Sequence, residues 1–308
     1  MNLAATLARD GKRVLLVDSD PQCNLTSYLL DAEVVDDLLD HSDSDEGQTV
    51  WSALKPVSEA LGSFAQVTPI ETAIPNLFLI PGDIRLSEFE TDLTDFWAQC
   101  LQRKMRGFRG TTALSELVNA ASVQLKADYV CYDSGPNIGP LNRAILLDCD
   151  CFIVPVACDL FSLRALKTLG RTLVDWIKAW ATIADLAPEG TYLLPGRPMF
   201  LGYVPEGFKV YGGTVAKQHS RFLSLIEKEV HSQIVSLLNE LDPDLAPGRL
   251  RDFKLGEVKN FGSLVPASQR AGLPLYEVDA GSADQREDAR RSLLSIARKL
   301  DQRLVSSH

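Results

Sequence analysis

The sequence predicts an α/β fold: a doubly wound, mostly parallel sheet flanked by helices. Three observations carry that reading. Short apolar runs of strand length alternate with stretches of helical spacing along all 308 residues. Two of those runs, 14–17 and 129–132, stop abruptly at a carboxylate, Asp18 and Asp133. Each is followed by a turn containing Pro or Gly, which ends ladder pairing. Strands apolar on both faces belong inside parallel sheets, and ligands of such sheets sit beyond the carboxyl ends of the strands. The two acids therefore mark the expected functional edge.

Taken in order, Leu3, Ala4, Leu7 and Ala8 give a first helix, stopped at Gly11. Residues 13–26, RVLLVDSDPQCNLT, then carry a strand, Asp18, Asp20 and Pro21. Residues 31–46 hold eight acids and no Lys or Arg, so 31–50 reads as an acidic surface segment. A short amphipathic helix is expected over 51–61 and a strand over 76–82, NLFLIPG. Residues 84–126 read as helices, with Arg103, Lys104, Arg106 and Arg109 around Gly107 and Gly110 as a solvated loop. Further strands are expected at 129–132, 151–157, 201–204 and 273–278, and helices at 161–181 and 215–241. The last helix opens with a capping box, Ser282 with Gln285, and shows an apolar stripe at Leu293, Ile296, Ala297, Leu300 and Leu304.

With 45% hydrophobic and 23% charged residues, the chain suits a soluble globular protein, read as a single domain over 1–308. A net charge of −10 opposes nucleic-acid binding by the whole surface but leaves room for a local basic patch. Six scattered cysteines lack the density of a disulfide scaffold, which suits a reducing compartment. No basic leader precedes an apolar core, and no run reaches the roughly 18 apolar residues of a membrane span. A cytoplasmic protein with no membrane partner is expected.

The stretch NLAATLARDGKRVLLVDSDPQCNLT resembles the segment after the phosphate-binding loop in the ParA/MinD (Soj-like) family of deviant P-loop ATPases. Pro21-Gln22 after Asp20 makes it closer to the ParA branch. NLFLIPGDIRLSEFE resembles that family's third-strand region, DYVCYDSGPNIGPLNRAIL its metal-site strand and switch, and CDCFIVPVACDLFSLRALKTL the strand and helix that follow. SLVPASQRAGLPLYEVD is similar to its C-terminal loop near the base, which makes Pro266 a cofactor-binding candidate. The matches keep the family's order over nearly the whole chain.

The resemblance implies a P-loop NTPase-like fold and an ATP-dependent dimerisation switch acting in chromosome or plasmid partitioning or in intracellular positioning. Implied cofactors are ATP and Mg2+. Implied partners are a second copy, nonspecific DNA of the nucleoid, and a ParB-like or other cargo protein that stimulates hydrolysis. Carried over by position, Asp18 helps order the magnesium and nucleotide, and Asp20 orients the attacking water. Asp133 holds Mg2+ through water, while Gly135 and Pro136 form the turn that senses the γ-phosphate.

One departure stands out. No G-x-x-x-x-G-K-[ST] occurs in these residues; the family's glycine-rich loop and signature lysine would fall immediately before Met1. Without that loop the anion cradle is incomplete, and loss of the strand ahead of it would leave two neighbours with unpaired backbone groups. The expectation is an N-terminally incomplete domain with weak or absent ATP hydrolysis and no ATP-driven dimerisation. The alternative is a non-hydrolysing ParA-like interaction or scaffold protein. The acids at 18, 20 and 133 favour the switch, the reading that gives them a chemical task.

Other motifs carry less. Asp18 has no G-x-G-x-x-G before it to make a dinucleotide site, and Ser134 lacks the G-x-S-x-G of a nucleophile elbow. Cys131, Cys149 and Cys151 lack C-x2-C spacing and read as core residues; His41, His219, His231 and His308 show no ligand spacing. Asn24-Leu25-Thr26 is a glycosylation acceptor of no use in a cytoplasmic chain. For DNA, the candidates are Arg286, Arg290, Arg291, Arg298 and Lys299 on the last helix, where the ParA resemblance also places nonspecific binding; Glu287, Asp288 and Asp301 interleave them.

Overall fold

Residues 14–18 bury every side chain because a strand with sheet neighbours on both edges and helices on both faces has no solvent side. In the computed structural model, which describes residues 1–208, 210–211, 214–215 and 217–306 and side chains outside 208–220 and 306, this strand is interior to its sheet. His308 lies outside the described residues, as does the side chain of His219. The chain divides into two compact units: residues 1–148, 180–194 and 268–274, and residues 149–179, 195–267 and 275–308.

In the first unit, β1 (Val14–Asp18), β2 (Ile70–Glu71), β3 (Leu77–Ile80) and β4 (Tyr129–Asp133) are ordered β2-β3-β1-β4. β3, β1 and β4 run parallel, and β2 is an antiparallel edge. Register sets Val14 opposite Leu77 and Tyr129, which brings Asp18 opposite Asp133. The helices are α1 (Asn2–Arg9), α2 (Asn24–Leu29), α3 (Ala32–Asp40), α4 (Val50–Ser58), α5 (Leu86–Leu101), α6 (Met105–Leu125) and α7 (Pro140–Asp148). Helices α1, α2 and α6 pack on β1. The acidic segment is the exposed helix α3, pinned by Val35, and the turns that follow it.

In the second unit, β5 (Cys151–Ala157) and β6 (Met199–Phe208) run parallel; a hairpin of β7 (Val210–Tyr211) and β8 (Thr214–Val215) follows, and β9 (Val258–Lys259) joins the far side of β6. Its helices are most of α8 (Leu160–Ala184, of which 180–184 count with the first unit), α9 (Lys217–Val230), a π-helical stretch at His231–Val235, α10 (Ser236–Leu241), the first half of α11 (Leu264–Ala271, of which 268–271 count with the first unit) and α12 (Ala283–Ser306). Phe200 anchors the core, with ring centroids 5.2 Å from Phe152 and 5.4 Å from Phe253. The capping box of α12 is present in both directions, and Leu293, Ile296, Ala297 and Leu300 are buried.

Two expectations are corrected. The basic stretch is a loop only at Arg103 and Lys104; Met105 begins α6, which takes in Arg106 and Arg109 with Gly107 and Gly110. Its glycines serve close packing, since a Cβ on Gly107 would stand 2.5 Å from the Cys100 nitrogen and one on Gly110 would enter the Phe96 ring. Residues 273–278 form no strand but a turn after Gly272, whose φ of 62° favours glycine. The position beside β6 is taken by β9, a two-residue strand too short to read from periodicity.

Candidate functional site

The loop after β1 is built by its own acids. Ser19 N–H donates to the Asp133 carbonyl at 2.8 Å, extending the β1–β4 ladder by one residue before Pro21 ends it. Asp20 folds the turn: its Oδ1 accepts from Gln22 N–H at 3.0 Å and its carbonyl from Cys23 N–H at 2.9 Å. Cys23, at φ 53°, then turns the chain into α2.

That geometry delivers Thr26 to Asp18. The Asp18 side chain is fully buried, and its Oδ2 accepts from Thr26 N–H at 2.8 Å and from Thr26 Oγ1 at 2.6 Å. The same hydroxyl accepts from Gly82 N–H at 2.8 Å, so one threonine ties the ends of β1 and β3 together. A Cβ on Gly82 would lie 2.8 Å from the Asp18 carboxyl carbon, which leaves room for glycine alone. Burial holds the Asp18 carboxyl above its ordinary range; the Thr26 bonds pull the other way, and the charge of Asp133 adds to the rise.

Asp20 and Asp133 are the open members of the cluster. Asp133 is exposed at the end of β4, and Asp20 is half-buried. Asp20 faces the turn after β4: a Cβ on Gly135 would come within 3.3 Å of its Oδ1. Buried Asn142, on α7, holds that turn by donating through Nδ2 to the carbonyls of Gly135 and Asn137, both at 2.7 Å. Pro136 is exposed on it. Thus Asp18, Asp20, Asp133, Gly135 and Pro136 are brought together, whereas Pro266 lies in α11, within the second unit.

The donor set suits a hard cation held through water. Among the described residues no three His, Cys, Asp or Glu side chains form a ready metal cage. Magnesium needs only one or two carboxylates and keeps most of its waters, so the accessible oxygens of Asp133 and Asp20 fit it. Asp18 fits differently, because its carboxylate is sealed and committed to Thr26. Cys23 is no nucleophile: burial and the charges of Asp18, Asp83 and Asp20 push its thiol up to about 12. Sequence reasoning missed Thr26, Gly82 and Asn142, whose hydrogen bonds span 8, 56 and 7 positions.

The basic residues of α12 divide by partner. Arg286 donates to the Ala280 carbonyl at 2.9 Å and Lys299 to that of Lys254 at 3.2 Å. Arg290 and Arg291 share Glu287 at 3.7 and 3.9 Å, and Arg298 is exposed. Among the described residues no cysteine is in a disulfide, and no helix is long and apolar enough to cross a membrane.

Comparison with known proteins agrees with this architecture. The chain is 31% identical over 193 residues to the sporulation initiation inhibitor protein Soj of Bacillus subtilis, covering 63% of this chain and 64% of Soj. It is 28% identical over 176 residues to the chromosome partitioning protein ParA of Caulobacter vibrioides, 56% and 55% of the two chains. The chain thus spans 55 to 64% of the length of these relatives. Among solved structures, protein DIP2308 of Corynebacterium diphtheriae superposes with a TM-score of 0.72 at 25% identity, covering 100% of this chain and 94% of that one. The ATP complex of a Cyanothece McdA variant gives 0.60 at 15% identity over 97% and 91%. A pNOB8 ParA bound to nonspecific DNA gives 0.52 at 17% over 99% and 92%; at such identities these two speak for the fold alone. The family model described as an AAA domain, AAA_31, matches residues 1–183, and the chain belongs to that family, in its ParA/MinD group.

Proposed function

We propose that this chain is the body of a ParA-like, ATP-dependent positioning switch, with its Mg-ATP chemistry at the joined ends of β1 and β4. The observation that carries the reading is the Asp20–Gly135 approach, a carboxylate from one strand end set against the glycine turn of its neighbour. Bound Mg2+ would neutralise charge developing on a transferred phosphoryl group. Asp133 holds the waters around that ion, and Asp20, one oxygen already fixed by Gln22, orients a water for in-line attack. Asp18 acts from behind, keeping Thr26 and Gly82 in register. The Gly135–Pro136 turn, pinned by Asn142, senses the γ-phosphate, and Pro266 keeps the base-side role that the resemblance gives it.

Relatives named for chromosome partitioning support a role in positioning DNA or other cargo; a second copy and a ParB-like or cargo protein are the partners that the resemblance implies. DNA contact falls to Arg290, Arg291, Arg298 and Lys299, the exposed members of the candidate set on α12, with Arg286 half-buried beside them. The test is Mg2+-dependent ATP turnover by the protein as its own cell produces it, beside Asp20→Ala. Expected are slow hydrolysis in the parent, and nucleotide binding without turnover in the variant. Equal turnover in both would remove Asp20 from the mechanism; no nucleotide binding by the parent would leave the non-hydrolysing scaffold.

A further inference from the structure

The corner between α5 and α6 sets cations at three positions where the backbone favours other residues. Helix α5 ends with Arg103 N–H donating to the Cys100 carbonyl at 2.8 Å and Lys104 N–H to the Gln99 carbonyl at 3.0 Å. That ending holds Arg103 at φ 60°, a conformation that favours glycine. Lys104 then occupies the N-cap of α6 and makes no side-chain cap hydrogen bond, where Ser, Thr, Asp or Asn is preferred. Arg106 stands in the first turn of α6, at the positive end of the helix dipole, where cations are repelled. Arg109 follows three residues on.

The fold gains little in return. Arg103, Lys104, Arg106 and Arg109 are all exposed, and among the described residues none of them forms an ion pair. Arg106 lies over the Phe96 ring at 5.8 Å, a contact that leaves its charge uncancelled. Positions that break local preference with no compensating contact inside the chain are where a binding role is expected.

The same unit carries the opposite charge on α3. Glu33, Asp36, Asp37 and Asp40 are exposed at i, i+3, i+4 and i+7, along one face of that helix. Glu33 and Asp37 stand four apart, as do Asp36 and Asp40, so like charges repel along the face, and the last turn holds no base. Among the described residues Asp37 alone of these four has an ion-pair partner, His41 at 3.2 Å. Each stretch also exposes an apolar side chain, Val34 among the acids and Leu101 just before the cations.

We propose that the basic corner at 103–109 docks the acidic face of α3 on a second copy of this chain, in a head-to-tail contact that needs no nucleotide. A nucleic acid would answer the corner alone; a second copy answers the adverse charges of both helices with one contact. The two patches differ, so the contact is heterologous, and each added copy leaves a corner and an α3 face for the next. Exposed ion pairs are individually weak and screened by salt, so the association belongs to low ionic strength. The inference is independent of the nucleotide chemistry proposed at the ends of β1 and β4.

The experiment is sedimentation velocity of the 308-residue chain in EDTA without nucleotide, as a concentration series. Runs at about 20 mM and about 300 mM salt bracket the screening range. Expected are species that grow with concentration at low salt and a monomer at high salt. Arg106→Glu with Arg109→Glu, and separately Asp36→Lys with Asp40→Lys, should each weaken self-association about tenfold. Each reversal suits its own helix, with acids at the start of α6 and bases in the second half of α3, so both variants should fold. An equal mixture of the two should associate as the parent does, because the intact corner of one meets the intact α3 of the other. Arg103→Gly should melt higher than the parent yet associate more weakly, a split that a purely structural arginine would not give. A parent that stays monomeric at low salt, variants that associate as the parent does, or a mixture that stays monomeric would each overturn the proposal. Duplex DNA bound by a monomeric parent and lost in Arg106→Glu with Arg109→Glu would overturn it too, and would give the corner to a nucleic acid.

Discussion

Asp18 shows how a residue can be costly to the fold and still be held in place. Its carboxylate is fully buried, and only Thr26 and the backbone of Asp20 offset the desolvation. Replacing Thr26 by Val removes a donor to a buried charge and the acceptor for Gly82 N–H, and should cost about 2–3 kcal/mol in chemical denaturation. Thr26→Ser keeps both bonds and should lose clearly less. A pH dependence follows from the same group. Its pKa is raised in the folded chain, so the native state binds the proton more tightly than the unfolded state. Stability should therefore fall as pH rises from the ordinary carboxylate value through the raised one, and level off above it. Thermal melts across that window should show the decline in the parent and a shallower one in Asp18→Asn.

At the scale of elements, two connections carry the site. The turn after β4 is held by Asn142, whose Nδ2 reaches three acceptors: the carbonyls of Gly135 and Asn137 and the Asn137 side chain. Asn142→Ala should leave β4 and α7 intact yet speed amide exchange across residues 135–139, read by hydrogen-exchange mass spectrometry. Unchanged exchange there would mean that the turn is held by other means. The second connection is the end of β3. Gly82→Ala would press a methyl group against the Asp18 carboxylate, and overpacking of that kind costs about 1–3 kcal/mol. A lowered melting temperature, with loss of any Mg-ATP response, is the expected result.

At the scale of the whole molecule, electrostatics decides what the surface can bind. With a net charge of −10, any DNA affinity must come from a local patch, and on α12 that patch is small: of its exposed candidates Arg290, Arg291, Arg298 and Lys299, two share the carboxylate of Glu287. Four such cations, two of them shared with an acid, predict weak binding with a shallow salt dependence, a slope of about −0.9 per phosphate contact. Arg298→Glu should reduce the affinity and flatten the slope in a filter-binding salt series. A steep slope, or none of the change expected for Arg298→Glu, would place the contact elsewhere.

Much of this was legible in the residues themselves. An apolar run ending in an acid and then a proline is local information, so the strands at Val14–Asp18 and Tyr129–Asp133, the acids at their ends and the α12 capping box all follow from adjacent positions. Repetition of that pattern was enough for the fold class and, with motif order, for the family. Other features depend on what stands opposite. Gly107 and Gly110 looked like loop residues because nothing nearby in sequence reveals that α5 crosses there. Residues 273–278 have strand composition but no strand: Gly272 at φ 62° turns the chain there, and an apolar run does not by itself reveal whether another strand will pair with it. Thr26, Gly82 and Asn142 are ordinary in sequence and become site residues only when parallel register sets Asp18 beside Asp133. Sequence determined where the carboxylates stand along the chain; the tertiary structure decided which is sealed and which are open, because burial and hydrogen-bond partners come from distant elements.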